Sequence, residues 1–216
     1  TLTFAQVRTE QTFEKGWKFT REDNKDFSQQ TYDDTKWQSV TVPHDWAIYG
    51  PFSIENDKQK VAITQDGQKE ALEPAGRTGG LPFVGVGWYR LNFEAPAFSS
   101  GKKATLIFDG AMSHARVYIN GQEAGFWPYG YNSFHIDATP YLKAGEQNTL
   151  AVRLENETES SRWYPGAGLY RNVHLVINED ARIPTWGTQL TTPVVKKEFA
   201  KVNLKTSLEI PSGKSF

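Results

Sequence analysis

The chain has 216 residues, enough for one full domain and part of another, with 24 Lys and Arg against 25 Asp and Glu and a net charge of −1. That balance excludes the basic footprint of a nucleic-acid binder or of a protein drawn to anionic membranes, and no apolar run is long enough to span a bilayer. Cysteine is absent, which excludes disulfides and thiolate chemistry, while aromatics reach 13 % with seven Trp, more than a small core accommodates, so some belong at clefts or interfaces.

Taken in chain order, Thr1-Leu2-Thr3-Phe4-Ala5 is like the tail of a secretory signal with a cleavage point after Ala5. Residues 1–10 are therefore expected to be a signal remnant or a disordered N-terminus, and the protein periplasmic or secreted, with the cytoplasm left open. Gly16-Trp17-Lys18-Phe19 opens the first strand, and a polar, turn-rich stretch over 23–39 leaves room for a short helix before Trp37. Pro43 ends pairing at Pro43-His44-Asp45-Trp46. A long polar stretch from Ile48 to Leu81 follows, of a length usually seen in functional or mobile loops.

Regular period-two patterning begins at Trp88, with Tyr89, Leu91 and Phe93 on one face and Arg90, Asn92 and Glu94 on the other. Ala104, Leu106 and Phe108 alternate in the same way, and Val117 and Ile119 run into Asn120-Gly121, the strongest hairpin signal in the chain. The return strand runs from Gln122 toward Trp127, and Phe134 to Asp137 is a further strand. Asp137-Ala138-Thr139-Pro140 predicts a capped helical turn. Strands over Leu150–Leu154 and Asn172–Ile177 complete the set. About eight short alternating strands predict an all-β fold, an antiparallel jelly-roll β-sandwich over 11–179. Residues 180–216 read as a linker, Arg182-Ile183-Pro184, and two more strands. Two strands bury no core of their own, so they either pair onto the first domain or begin a second sandwich.

The chemistry in the sequence is sparse. Glycoside hydrolysis needs two carboxyl groups flanking the bond, and no convincing pair emerges. Glu155, Glu157 and Glu159 alternate, but in a polar stretch that suits a solvated edge, and Asp45 sits on a proline turn where a carboxylate orients His44 or accepts backbone N–H groups. Gly85-Val86-Gly87 lacks the third glycine and the helix of a dinucleotide site. Histidines 44, 114, 135 and 174 lack metal-ligand spacing, nothing supports a calcium or sodium loop, and no cofactor is called for. What remains is binding surface. Ser161-Arg162-Trp163-Tyr164-Pro165-Gly166-Ala167-Gly168 holds a guanidinium beside ring faces on a rigid corner, a combination suited to sugar hydroxyls and C–H faces. The same run also suits a sandwich corner whose aromatics merely cap the core. Trp127-Pro128-Tyr129-Gly130-Tyr131 and the run from Gly79 to Arg90 are two more aromatic, glycine-containing loops.

Several motifs in order carry a resemblance. Gly16-Trp17-Lys18-Phe19, Val42-Pro43-His44-Asp45-Trp46, Gly87-Trp88-Tyr89-Arg90, Phe108-Asp109-Gly110, Val117-Tyr118-Ile119-Asn120-Gly121 and Gly125 resemble the N-terminal domain of glycoside hydrolase family 2. Arg162 to Val173 is most similar to the bacterial β-galactosidase branch, and Trp186-Gly187-Thr188 with Thr191-Thr192-Pro193 is similar to the start of the family's immunoglobulin-like domain. The resemblance implies a modular retaining exo-glycosidase whose catalytic glutamates lie in a (β/α)₈ barrel that this chain lacks, so no catalytic residue is assigned here and the chain alone is expected to be inactive. It implies that Arg162 reaches the terminal sugar of a β-linked galactoside as a hydroxyl donor, with Trp163 and Tyr164 at the same rim or at the domain interface. The implied partners are the barrel and the immunoglobulin-like domain. A stand-alone carbohydrate-binding module and a purely structural packing domain are the alternatives, and β-glucuronidase or β-mannosidase activity in the parent stays open.

Overall fold

The computed structural model describes residues 8–53, 83–157 and 166–211, together with the backbone of 58–59 and 75–76. Its strands are β1 (Arg8–Thr12), β2 (Trp17–Thr20), β3 (Gln38–Val40), β4 (Lys58–Gln59), β5 (Ala75–Gly76), β6 (Gly85–Glu94) and β7 (Lys103–Phe108). They continue with β8 (Ala115–Ile119), β9 (Gln122–Trp127), β10 (Phe134–Asp137), β11 (Gln147–Asn156), β12 (Val173–Asn178), β13 (Thr188–Val195) and β14 (Ala200–Thr206). Two antiparallel sheets face each other, one of four strands in the order β1-β12-β7-β10 and one of six in the order β3-β2-β6-β11-β8-β9. The fold is the all-β antiparallel sandwich that the patterning predicts.

Alternation explains the core. Successive side chains on a strand point to opposite faces, so every second apolar residue meets the facing sheet. Leu106, Phe108, Phe134, Val173 and Leu175 come from the four-stranded sheet, and Trp17, Phe19, Tyr89, Leu91, Val117, Leu150 and Val152 from the six-stranded one, all buried. Each large side chain so buried contributes about 1.5–3 kcal/mol of transfer free energy. The Asn120-Gly121 turn forms as expected between β8 and β9, both residues having positive φ (52° and 85°). Asn120 also ties the hairpin to its neighbours: its amide donates to the Asn148 Oδ1 at 2.7 Å and the Tyr141 carbonyl at 2.9 Å, and its Oδ1 accepts from the Thr149 N–H. At Asp137 the carboxylate accepts from the Thr139 N–H at 3.0 Å and caps the single turn expected there.

Two expectations are corrected, one at the N-terminus and one on β6. The N-terminal stretch taken as a remnant or disordered over 1–10 contains, from Arg8, the first strand, paired in register from Arg8 with Asn178 to Thr12 with His174. Its charged and polar residues carry no apolar alternation because it is a solvent-facing edge. Residues 1–7 lie outside the described residues. The short helix expected before Trp37 forms as a 3₁₀ helix at Lys25–Ser28, capped by Asn24 accepting from the Asp26 N–H at 2.9 Å. The face of β6 expected to be polar is partly interior: segment 23–37 folds over it and buries Trp88 and Arg90 completely, leaving Asn92 and Glu94 exposed. Arg90 is satisfied there by Asp34 at 2.8 Å, by the Gln29 carbonyl at 3.0 Å and by the Phe27 carbonyl. Among the described residues, β13 and β14 pair only with each other, as a separate two-stranded sheet whose apolar Leu190, Val202 and Leu204 are exposed.

Candidate functional site

The distinctive end of the sandwich is built on the Pro43-His44-Asp45-Trp46 corner. The Asp45 carboxylate accepts the Ala47 N–H at 3.0 Å and so caps the 3₁₀ turn at Trp46–Tyr49, which is the backbone-accepting role open to it from sequence. Trp46 is fully buried and stacks on Phe19, their ring centroids 5.5 Å apart. Gly87 lies directly against that indole: a Cβ there would sit 2.6 Å from it. Gly87 thus serves aromatic packing, whereas a Cβ at Gly85 would make only ordinary contact with Phe83, at 3.6 Å.

His44 fixes the corner to the sandwich. Its Nδ1 lies 2.7 Å from the Tyr89 hydroxyl and its backbone N–H donates to the Leu169 carbonyl at 2.7 Å. Burial first, and then the nearby Arg21 charge, lower its pKa from 6.5 to about 4, so the imidazole is neutral at physiological pH. Tyr89 is fully buried, and burial pushes its phenol well above the ordinary range, so it stays protonated. Neutral His44 and protonated Tyr89 form a structural hydrogen bond with no proton to exchange.

The segment after the arginine-aromatic run is held against this pair. Gly168 exchanges backbone hydrogen bonds with Met112, both at 3.0 Å, and has φ +88°. A side chain at Gly168 would overlap both the Tyr89 hydroxyl and the His44 carbonyl. Asn156 donates to the Gly166 carbonyl at 3.2 Å, and the Tyr170 hydroxyl donates to the Gly130 carbonyl at 2.7 Å. The described parts of all three aromatic loops therefore meet at one end of the sandwich: Gly166–Tyr170, Tyr129–Tyr131 and Gly85–Tyr89. Trp127 stacks on Phe134 against the core, while Tyr129 and Tyr131 stand exposed, 5.7 Å apart. That loop is thus a plug at its start and free surface at its tip. Arg162, Trp163 and Tyr164, the sequence's site residues, lie outside the described residues.

Other candidate chemistry resolves into structure. Glu155 pairs with Arg153 at 2.9 Å, and Arg153 pairs in turn with Asp23 at 2.7 Å; Glu159 lies outside the described residues. Ser113, His114 and Glu157 form a constellation that sequence reasoning missed, with Ser113 Oγ 3.2 Å from His114 Nδ1 and His114 Nε2 3.8 Å from Glu157. The serine hydroxyl, however, donates to the Glu155 carbonyl at 2.7 Å, so its proton points away from the histidine and no nucleophile is activated. His174 lies between Asp109 (3.0 Å), Thr12 (3.0 Å) and Glu10 (3.4 Å) on the outer face of the four-stranded sheet, far in sequence from His44. Among the described residues, no three His, Asp or Glu side chains are placed to hold a metal ion, and no helix is long and apolar enough to cross a membrane.

Comparison with known proteins places this architecture. The family model for the glycosyl hydrolases family 2 sugar binding domain matches residues 11–178. The chain is 41 % identical over 202 residues to the β-galactosidase BoGH2A of Bacteroides ovatus, covering 93 % of this chain and 22 % of that protein. It is 26 % identical over 223 residues to a β-glucuronidase of Formosa agariphila, covering 94 % of this chain and 21 % of that one. Among solved structures, a β-glycosidase from Bacteroides vulgatus superposes with a TM-score of 0.76 at 32 % identity, over 95 % of this chain and 25 % of its own. The chain thus spans about a fifth of the length of these curated relatives. By its fold, its motifs and these matches, the chain belongs to glycoside hydrolase family 2 and carries that family's N-terminal sugar-binding domain.

Proposed function

We propose that this chain is the non-catalytic N-terminal part of an exported retaining exo-β-glycosidase of β-galactosidase type, and that it lends one loop to the rim of a sugar pocket whose catalytic carboxylates stand on a barrel elsewhere in the protein. The observation that carries this reading is the clamp of His44, Tyr89 and Gly168. It fixes the backbone a few residues beyond Arg162 to the rigid core of the sandwich, as a substrate-positioning loop requires. Arg162 then serves as a hydroxyl donor to the terminal sugar, with Trp163 and Tyr164 beside it. In the same reading residues 11–179 are one jelly-roll domain, and 180–216 are a linker and the first hairpin of an immunoglobulin-like sandwich. The exposed apolar face of Leu190, Val202 and Leu204 supports this, because a hairpin so patterned needs further strands to cover it.

Similarity to a β-galactosidase at 41 % identity, against 34 % to a putative β-glucuronidase of Formosa agariphila, favours galactosides over glucuronides. A panel of aryl β-galactoside, β-glucuronide and β-mannoside tests the assignment. The full-length enzyme is expected to prefer the galactoside, and this chain alone to release aglycone from none of the three. Hydrolysis by the chain alone, or a preference for the glucuronide, contradicts the reading.

A further inference from the structure

Beside the clamp, and distinct from the 166–170 segment, a cleft of about 730 Å³ opens between the end of β2, the covering segment around Tyr32–Gln38 and the turn at Tyr49–Pro51. That volume lies within the range of small-molecule sites, about 300–1,000 Å³. Four aromatic residues line it: Phe19, which is buried in the core, and Tyr32, Trp37 and Tyr49. The last three are each braced by a neighbouring ring. Phe27 packs on Tyr32 at 4.9 Å and edge-on to Trp37 at 4.8 Å, and His44 stacks on Tyr49 at 5.9 Å. Rings held this way lose little freedom when a ligand lands on them. Tyr49 nevertheless remains 71 % exposed, an unusual position for a braced ring with no role in the core.

Four charged residues also line the cleft, Arg21 and Lys36 against Glu22 and Asp33, so the charges sum to zero. Arg21 donates one hydrogen bond to the Trp46 carbonyl at 3.1 Å and lies over the Phe83 ring at 5.0 Å; among the described residues no carboxylate pairs with it. Its guanidinium therefore retains donors to offer a ligand. Aromatic walls, unspent donors and nearby carboxylate acceptors in a charge-balanced cleft match a polyhydroxylated ligand without charge. With Arg21 and Lys36 offset by Glu22 and Asp33, the cleft offers an acidic ligand no net attraction, and a purely apolar one would strand the polar groups.

We propose that this cleft is a second carbohydrate site, which takes a neutral oligosaccharide with apolar ring faces against Trp37 and Tyr49 and hydroxyls shared between Arg21 and Asp33. It goes beyond the rim role of Arg162 and does not depend on it, since it is read from binding by this chain and not from turnover. The test is a backbone amide NMR titration of this chain with lactose, with cellobiose and with digalacturonate. The expected result is saturable, millimolar binding of at least one neutral disaccharide, with shifts concentrated at residues 20–22, 32–38 and 49–51. Trp37→Ala and Tyr49→Ala are each expected to weaken it about fivefold or more. Tyr49→Ala removes a largely exposed ring, so if Trp37→Ala fails to fold the tyrosine variant decides. The proposal is overturned by no saturable shift with either neutral sugar, by binding of digalacturonate alone, by shifts confined to 166–171, or by unchanged affinity in a folded Tyr49→Ala protein.

Discussion

The Tyr89 hydroxyl and the His44 Nδ1 lie 2.7 Å apart inside the sandwich, and the loop of greatest functional interest rests on them through Gly168. Removing one side of this bond strands the other. Tyr89→Phe keeps the ring packing with Trp17 and Phe19 but leaves a buried imidazole nitrogen without its partner. A loss of about 1–3 kcal/mol in unfolding free energy is expected, read as a lower urea midpoint at an unchanged m-value.

The same histidine makes stability depend on pH. Because its folded pKa is lowered from 6.5 to about 4, between those values the unfolded chain binds a proton that the folded chain does not. Its contribution is therefore fully present above pH 6.5, and is lost as the pH falls toward 4. Urea midpoints at pH 7 and pH 5 check this: the native chain is expected to be less stable at pH 5, and His44→Gln to show a smaller difference between the two.

Two glycines in the aromatic loop make a contrast. Gly166 and Gly168 both have φ +88°, but only Gly168 is closed in by Tyr89 and His44, whereas the nearest atom to a Cβ at Gly166 is an Asp45 carboxylate oxygen at 4.0 Å. Gly166→Ala is expected to cost only the left-handed backbone penalty, about 1–2 kcal/mol. Gly168→Ala adds a steric clash to that penalty and is expected to cost distinctly more, as thermal melts of the two variants will show.

Arg90 and Asp34 form the other vulnerable pair. The arginine is completely buried, and Asp34 is its carboxylate at 2.8 Å. Asp34→Ala leaves that charge uncompensated and is expected to cost about 3–5 kcal/mol in denaturant unfolding. Glu94→Ala, exposed on the same face of β6, is expected to stay within about 0.5 kcal/mol of the native chain.

Much of this fold is legible in the sequence because strand alternation is a local signal: Tyr89, Leu91 and Phe93, or Leu150, Val152 and Leu154, show their inner face within a few residues. The Asn120-Gly121 turn is equally local, since it depends on two residues that tolerate positive φ. The burial of Arg90 is not legible in this way, because it is decided by segment 23–37, more than fifty residues away, and no window around β6 contains Asp34. β1 is illegible for a related reason, being a polar edge whose pairing with β12 leaves no apolar pattern. At the site, the glycines and aromatics of three loops were visible as composition. That Gly168 is required by the Tyr89 hydroxyl and the His44 carbonyl is a relation among three distant segments, visible only once they are folded together.

The rim role of the arginine-aromatic loop is the center of this account, and kcat/KM of the full-length enzyme for an aryl β-galactoside tests it most directly. Arg162→Ala is expected to lower kcat/KM at least about tenfold, equivalent to about 1.4 kcal/mol of transition-state stabilisation, with the fold intact by thermal melting. An unchanged kcat/KM in a folded Arg162→Ala enzyme would contradict it.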